Sequence, residues 1–277
     1  MTVVSDDIDT DTGLFGPYSV TWRVHLEPVL FVGGLRALIL QALHPWVMLG
    51  TYQNSALFDP PKAFARFLRT AEFVGIRTYG TTAEVEKAAR RVRGLHAKLR
   101  GRDPATGRAF RIDDPQYLLW VHCGEIDSYV DVAVRAGILD DADADRYVAE
   151  QARAAEVVGA AEAPRSRAEL ATYFDEIRPR LRLTDEAITA TTNLMTARLP
   201  APTAVKLAQP PAAALAFATM PRWARRMYGS PGLPTTDPSA TLALKALRAA
   251  SSRLPGPPEP PRIERARRLM AEAGTAG

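Results

Sequence analysis

The stretch Thr81–Leu99, TTAEVEKAARRVRGLHAKL, decides the fold class. Val85, Ala89, Val92, His96 and Leu99 recur at helical spacing and form one apolar face, with charged residues filling most of the other positions. Thr81 followed three residues later by Glu84 is a capping box that starts the helix, and Gly101 predicts its end. His96 therefore falls in the stripe that should face a core, with Arg93 on an adjoining part of the surface. A neutral imidazole in an apolar wall is what an axial haem ligand requires. The same pattern more often marks a core histidine with a single hydrogen bond, and spacing alone favours that reading.

Outward from this helix, the chain continues in the same idiom. Asp59-Pro60-Pro61 opens a helix over Lys62–Thr78, stopped by Gly80. Upstream, a helix over Leu35–Leu43 is interrupted at His44-Pro45 and resumes to about Tyr52, because proline lacks an N–H and disfavours a helical residue before it. Downstream, Arg102–Ile112 reads as a loop, Asp114-Pro115 opens a helix through Val134, and further helices are expected over 142–159, 167–182, 185–198, 203–208, 212–227 and 239–252. Pro210-Pro211 should separate two of them. No run of period-2 alternation stands out, so the expected class is all-α, a globin-like multi-helix domain with extra helices. The expected organisation is a disordered leader over 1–16, one helical domain over 17–252, and a Pro-rich linker with a short charged C-terminal helix over 253–277.

Composition removes several function classes. A formal net charge of +4, without an aromatic-flanked basic run, carries no nucleic-acid signature. The single cysteine, Cys123, excludes an intrachain disulfide framework and a Cys-rich zinc or iron–sulfur site. The acidic, polar N-terminus lacks the layout of a secretory signal, and the longest apolar region, Val29–Gly50, is broken by Arg36, Gln41 and His44-Pro45. No stable membrane insertion and a cytoplasmic location are expected. Motifs of zinc proteases, serine hydrolases, P-loops and dinucleotide folds are missing. Chemistry must then come from four histidines (His25, His44, His96 and His122), from arginines, or from a cofactor.

Two further constellations carry candidates. On the helix over 62–78, Phe64, Phe67, Leu68, Ala71 and Val74 form one face, and Arg66, Arg69, Thr70, Phe73 and Arg77 form another stripe. Such a stripe is usually a solvated basic face. It would equally serve as a cationic wall for an anion such as a haem propionate, since guanidinium presents a planar fork of donors, and Phe73 within it favours the second reading. In Trp120-Val-His122-Cys-Gly-Glu125-Ile-Asp127-Ser128, His122 and Glu125 are an i,i+3 pair. They offer two of the three ligands of a non-haem iron site, with His44 or His96 as the third, or else a buried polar network between helices. His44, at a helix break, can be structural or can face a cofactor.

Taken in order, Gly33-Gly34-Leu-Arg36-Ala-Leu-Ile-Leu-Gln41-Ala-Leu-His44-Pro45, then Tyr79-Gly80-Thr81, Val92-Arg93-Gly-Leu-His96, Trp120-Val-His122 and Asp127-Ser128 resemble the catalytic-domain family of the latex-clearing rubber oxygenase and the mycophenolic-acid-pathway oxygenase, over roughly residues 18–230. The resemblance implies a globin-like helical fold holding haem b and its iron. It implies that His96, in an Arg-x-x-His pattern with Arg93, is the proximal ligand. A family Arg-x-x-Lys-Thr pattern corresponds to Arg66, Arg69 and Thr70, which would line the distal side. Arg69 stands where that pattern has lysine, and an always-protonated guanidinium is a poor metal ligand, so no distal lysine cap is expected. The expected function is a haem-dependent oxygenase acting with dioxygen on a small apolar or secondary-metabolite substrate. His96, Arg93, Arg66, His44 and His122 are the cofactor-binding candidates, and Arg66, Arg69 and Thr70 the catalytic ones. A haem carrier or sensor, and a non-haem iron oxygenase built on His122 and Glu125, remain the alternatives.

Overall fold

The computed structural model describes residues 11–55, 59–196, 200, 203–251, 253 and 259–275. Two helices form its centre: α2 (Leu30–Gln41) and α6 (Pro115–Arg135). Small residues let them approach closely. A Cβ on Gly33 would stand 2.8 Å from Tyr129 Cδ1, and one on Gly124 would stand 3.0 Å from Gln41 Cγ. Polar groups then lock the register between the two helices. The Trp120 indole donates to the Gln41 carbonyl at 3.0 Å, Gln41 Nε2 donates to the Val121 carbonyl at 2.8 Å, and the buried Arg36 donates to Asp127 at 2.7 Å and to the Ser128 hydroxyl at 2.8 Å. Leu40, Leu43, Trp120, Ile126 and Met220 are fully buried around this pair.

Other helices cover the centre. These are α1 (Val20–His25), α7 (Asp141–Val158), α8 (Arg167–Ile177), α9 (Asp185–Thr196), α10 (Thr203–Thr219), α11 (Arg222–Met227) and α12 (Thr236–Ser251). The chain is all-α apart from one small hairpin among the described residues. Local capping accounts for several helix starts. Asp59 accepts from the Lys62 N–H, Thr81 and Glu84 form the full capping box, Asp114 accepts from the Gln116 N–H, and Ser166 accepts from the Glu169 N–H. Between α2 and α3 (Pro45–Asn54) the axis turns by 103°. That bent pair is apolar enough to pass a length-and-composition test for a membrane span, but no single described helix does, and most of α2 is packed in the core.

Four expectations are corrected. The helix carrying His96, α5 (Thr82–His96), ends at His96 itself rather than at Gly101. The residues beyond form strands β1 (Arg100–Arg102) and β2 (Ala109–Arg111), where a loop was expected, with Gly101 opposite Phe110. Gly101 is required there, because a Cβ would lie 2.0 Å from the Phe110 ring. Pro210-Pro211 does not divide α10, which runs through both prolines. The carbonyls that lose a donor, those of Lys206 and Leu207, lie on exposed residues where water can replace the bond, while Ala213 and Ala216 beyond them are fully buried. The helix expected over 212–227 is instead broken after Thr219, and α11 starts at Arg222.

Residues 1–10 of the expected leader, and 254–258 of the expected linker, lie outside the described residues. Residues 11–16 are seated on the body. The Asp11 carboxylate accepts from the N–H and hydroxyl of Thr82, both at 2.8 Å, and the Leu14 carbonyl accepts from Arg153 at 2.6 Å. The C-terminal helix α13 (Pro261–Thr275) packs Ala266 into a small cluster with Trp22 and Tyr79, and Arg265 donates to the Asp11 carbonyl at 2.6 Å.

Candidate functional site

The longest peripheral helix, α4 (Pro60–Tyr79), holds the basic stripe. Its principal neighbours are α1, α5 and α13, and it reaches the central pair through side chains. At its C-terminal end the fit is tight. Trp22 Nε1 donates to the Thr78 carbonyl at 2.7 Å, and Arg77 donates to Glu125 of α6 at 2.5 Å, with both of those side chains largely buried. Toward its N-terminus the helix stands off. There the rings of Phe67 and Phe31 meet edge-to-face at 6.0 Å, while Phe31 and Leu38 of α2 remain 42% and 39% exposed. The first half of α4 thus leaves apolar side chains of α2 partly exposed, while the Arg77–Glu125 pair ties its second half to α6.

His96 of α5 lies within the field of Arg66 of α4. His96 is half-buried, and its Nδ1 is buried without a hydrogen-bond partner. Burial lowers the imidazole pKa, the Arg66 guanidinium lowers it further, and Asp113 opposes them. The ring is thus held neutral and keeps a lone pair. Arg66 is itself half-buried and donates to the Ser55 hydroxyl. Thr70 lies on the same stripe one turn on, exposed, with its hydroxyl returned to the Arg66 carbonyl at 3.1 Å; Arg69 is exposed at the edge of the stripe. Arg93 faces away, donating to the Val157 carbonyl at the end of α7, so it anchors the helix that carries His96.

The other candidates are not brought to His96. His44 caps α3: its Nδ1 accepts from the Val47 N–H at 3.4 Å, and its ring packs against Tyr117 and Trp120. Burial pushes its pKa down to about 4. His122 is buried one turn before Glu125 on α6, and burial together with Arg77 pushes its pKa down to about 3. Among the described residues no group of three or more His, Cys, Asp or Glu is placed to hold a metal ion, and Glu125 is already engaged by Arg77. The non-haem iron set on His122 and Glu125 therefore lacks its third ligand.

Sequence reading missed Ser55 and Asp113 as neighbours of the Arg66–His96 region, because nothing local marks them. It also missed the difference between the paired glycines. A Cβ on Gly34 would meet only the Tyr129 hydroxyl, at 3.7 Å, which is ordinary contact. Packing demands a glycine at 33 but not at 34. Gly34 lies between the partly exposed Phe31 and Leu38, one turn either side on the same face of α2.

Comparison with known proteins agrees with this architecture of motifs. A family model described as the catalytic domain of the ER-bound oxygenase mpaB/B' and rubber oxygenase matches residues 22–253. No curated protein and no solved structure gives a significant match.

Proposed function

The chain belongs to the mpaB/B' and rubber oxygenase catalytic-domain family, and from that premise we propose that it is a haem b-dependent oxygenase whose proximal ligand is His96. The family is an oxygenase catalytic domain, which implies dioxygen and an organic substrate. The observation that carries the cofactor assignment is the His96 imidazole, held neutral by burial and by Arg66, with a buried nitrogen free of any hydrogen bond. An orphaned buried nitrogen is costly in a core and useful to a metal.

Haem b, when bound, would supply the redox chemistry of dioxygen. This chain's residues bind and orient. His96 would hold the iron through its imidazole. Arg66, steadied by Ser55, would neutralise a carboxylate or a polarised oxygen, and Thr70 on the same stripe would offer a hydroxyl. Arg69, at the edge and always protonated, would add positive charge without ligating iron. Arg93 fixes the helix on which His96 sits. The partly exposed Phe31 and Leu38, with Phe67 packed on Phe31, would offer apolar contact to a small apolar or secondary-metabolite substrate.

The test is spectroscopic first. The purified chain supplied with haem should develop a Soret band, and His96→Ala should abolish stoichiometric binding while retaining its helical circular dichroism. A His96→Ala variant with the wild-type spectrum refutes the ligand assignment. Oxygen uptake dependent on an apolar substrate separates an oxygenase from a haem carrier or sensor.

A further inference from the structure

The C-terminal end of α4 meets a second cluster that the haem assignment does not use. Arg77 and Glu125 form a pair there at 2.5 Å, with Phe73 packed on the guanidinium at 5.9 Å. His122 lies one turn from Glu125 on α6, within the field of Arg77. Two nitrogens of this cluster, Arg77 Nε and His122 Nε2, are buried and have no hydrogen-bond partner among the described residues. Both side chains are more than nine-tenths buried, at 4% and 3% exposure. Buried polar atoms in native proteins are satisfied almost without exception, by protein or by ordered water. Two orphans in one charge-paired cluster point to a ligand.

We propose that Arg77 and His122 form a buried subsite for a neutral hydroxyl group. The charge balance sets the class of ligand. Arg77 is neutralised by Glu125, so an anion would meet the Glu125 carboxylate and a cation the guanidinium, each in a setting too dry to screen it. Arg77 Nε–H can only donate. A neutral imidazole whose Nε2 lacks a proton can only accept there. A hydroxyl meets both needs, accepting from Arg77 and donating to His122. Its source is either a resident water or an alcohol group of the substrate. The subsite draws on neither His96 nor Arg66, so it stands if the haem assignment fails.

An atomic-resolution crystal structure of the full chain, with and without a cyclohexanol soak, tests this directly. The expected result is an oxygen atom within hydrogen-bonding distance of both Arg77 Nε and His122 Nε2. If the soak replaces it with the alcohol oxygen, the subsite reads substrate hydroxyls; if the water persists, the hydroxyl is a structural water. Neither oxygen present, or only one nitrogen engaged, overturns the proposal. Urea unfolding supplies the second measurement. His122→Phe removes the acceptor at similar volume and should lower the midpoint, whereas His122→Gln, which carries an amide to the same position, should recover part of the loss. A His122→Phe midpoint equal to or above wild type means that Nε2 has no partner to lose, and overturns the proposal.

Discussion

Gly33 and Gly34 are adjacent, both lie in the interior of α2, and by helix propensity alone replacing either with alanine should stabilise the fold by about 0.5–1 kcal/mol. Their surroundings separate them. At Gly34 the new methyl meets one atom at 3.7 Å, so the propensity gain should be realised nearly in full. At Gly33 it would lie 2.8 Å from Tyr129 Cδ1 and 3.3 Å from the Ser128 carbonyl. The Tyr129 ring cannot simply swing away, since it packs edge-on against His25 at 5.1 Å in a buried region. Overpacking of that kind costs about 1–3 kcal/mol, so Gly33→Ala should be a net loss of roughly 0.5–2 kcal/mol. The two variants should therefore move in opposite directions by a total of about 1–3 kcal/mol, or several degrees in Tm for a chain of this size. Urea unfolding followed at 222 nm, with the slopes compared to confirm equal exposure on unfolding, measures both. If Gly33→Ala is at least as stable as wild type, or if Gly34→Ala is clearly less stable, the close approach of α2 and α6 at Gly33 and the room for a methyl at Gly34 are wrong.

Acid should destabilise the protein well before its carboxylates titrate. His25 and His122 are pushed down to about 3, and His44 to about 4, from an ordinary 6.5, in each case first by burial. The unfolded chain takes up these protons below pH 6.5 and the folded chain does not. Stability is then fully present above pH 6.5 and is lost as the pH falls toward 4, by up to about 1.4 kcal/mol per unit for each histidine. A urea midpoint that stays flat or rises between pH 7 and pH 5 would contradict this. The Arg77–Glu125 pair should behave as a unit: Arg77→Met alone strands a largely buried carboxylate at a cost of about 3–5 kcal/mol, while adding Glu125→Leu should restore most of it. A double-mutant cycle with coupling under about 0.5 kcal/mol would show that the two charges do not depend on each other.

What the sequence made legible was local. Capping at Asp59, Thr81–Glu84, Asp114 and Ser166 is written within four residues, and each of those helices begins where its cap says. What it hid depends on distant packing. Three-residue strands are too short to show a period, so the hairpin after His96 read as helix and loop until Gly101 was seen under the Phe110 ring. Pro210-Pro211 read as a break because their local cost is real, yet the buried alanines that follow hold α10 together. At the site, the family motifs singled out His96 and Arg66, but their mutual field comes from two helices meeting, which no spacing rule encodes. His44, equally prominent in its motif, proves to spend its Nδ1 on capping α3.

The same separation explains why a single twenty-residue helix can serve both stability and a site. The second half of α4 is tied down by Trp22 on its Thr78 carbonyl, by Arg77 on Glu125, and by the seating of α13 beside Tyr79. Those contacts fix the angle at which the helix leaves the core. The first half then meets α2 through Phe67 on Phe31, and its stripe of Arg66 and Thr70 is carried toward the end of α5. A helix that packed along its whole length would bury Phe31 and Leu38, gaining roughly 25 cal/mol for each Å² covered. The buried, unpartnered His96 Nδ1 in the field of Arg66 is the physical reason to read this end of α5 as a candidate binding site.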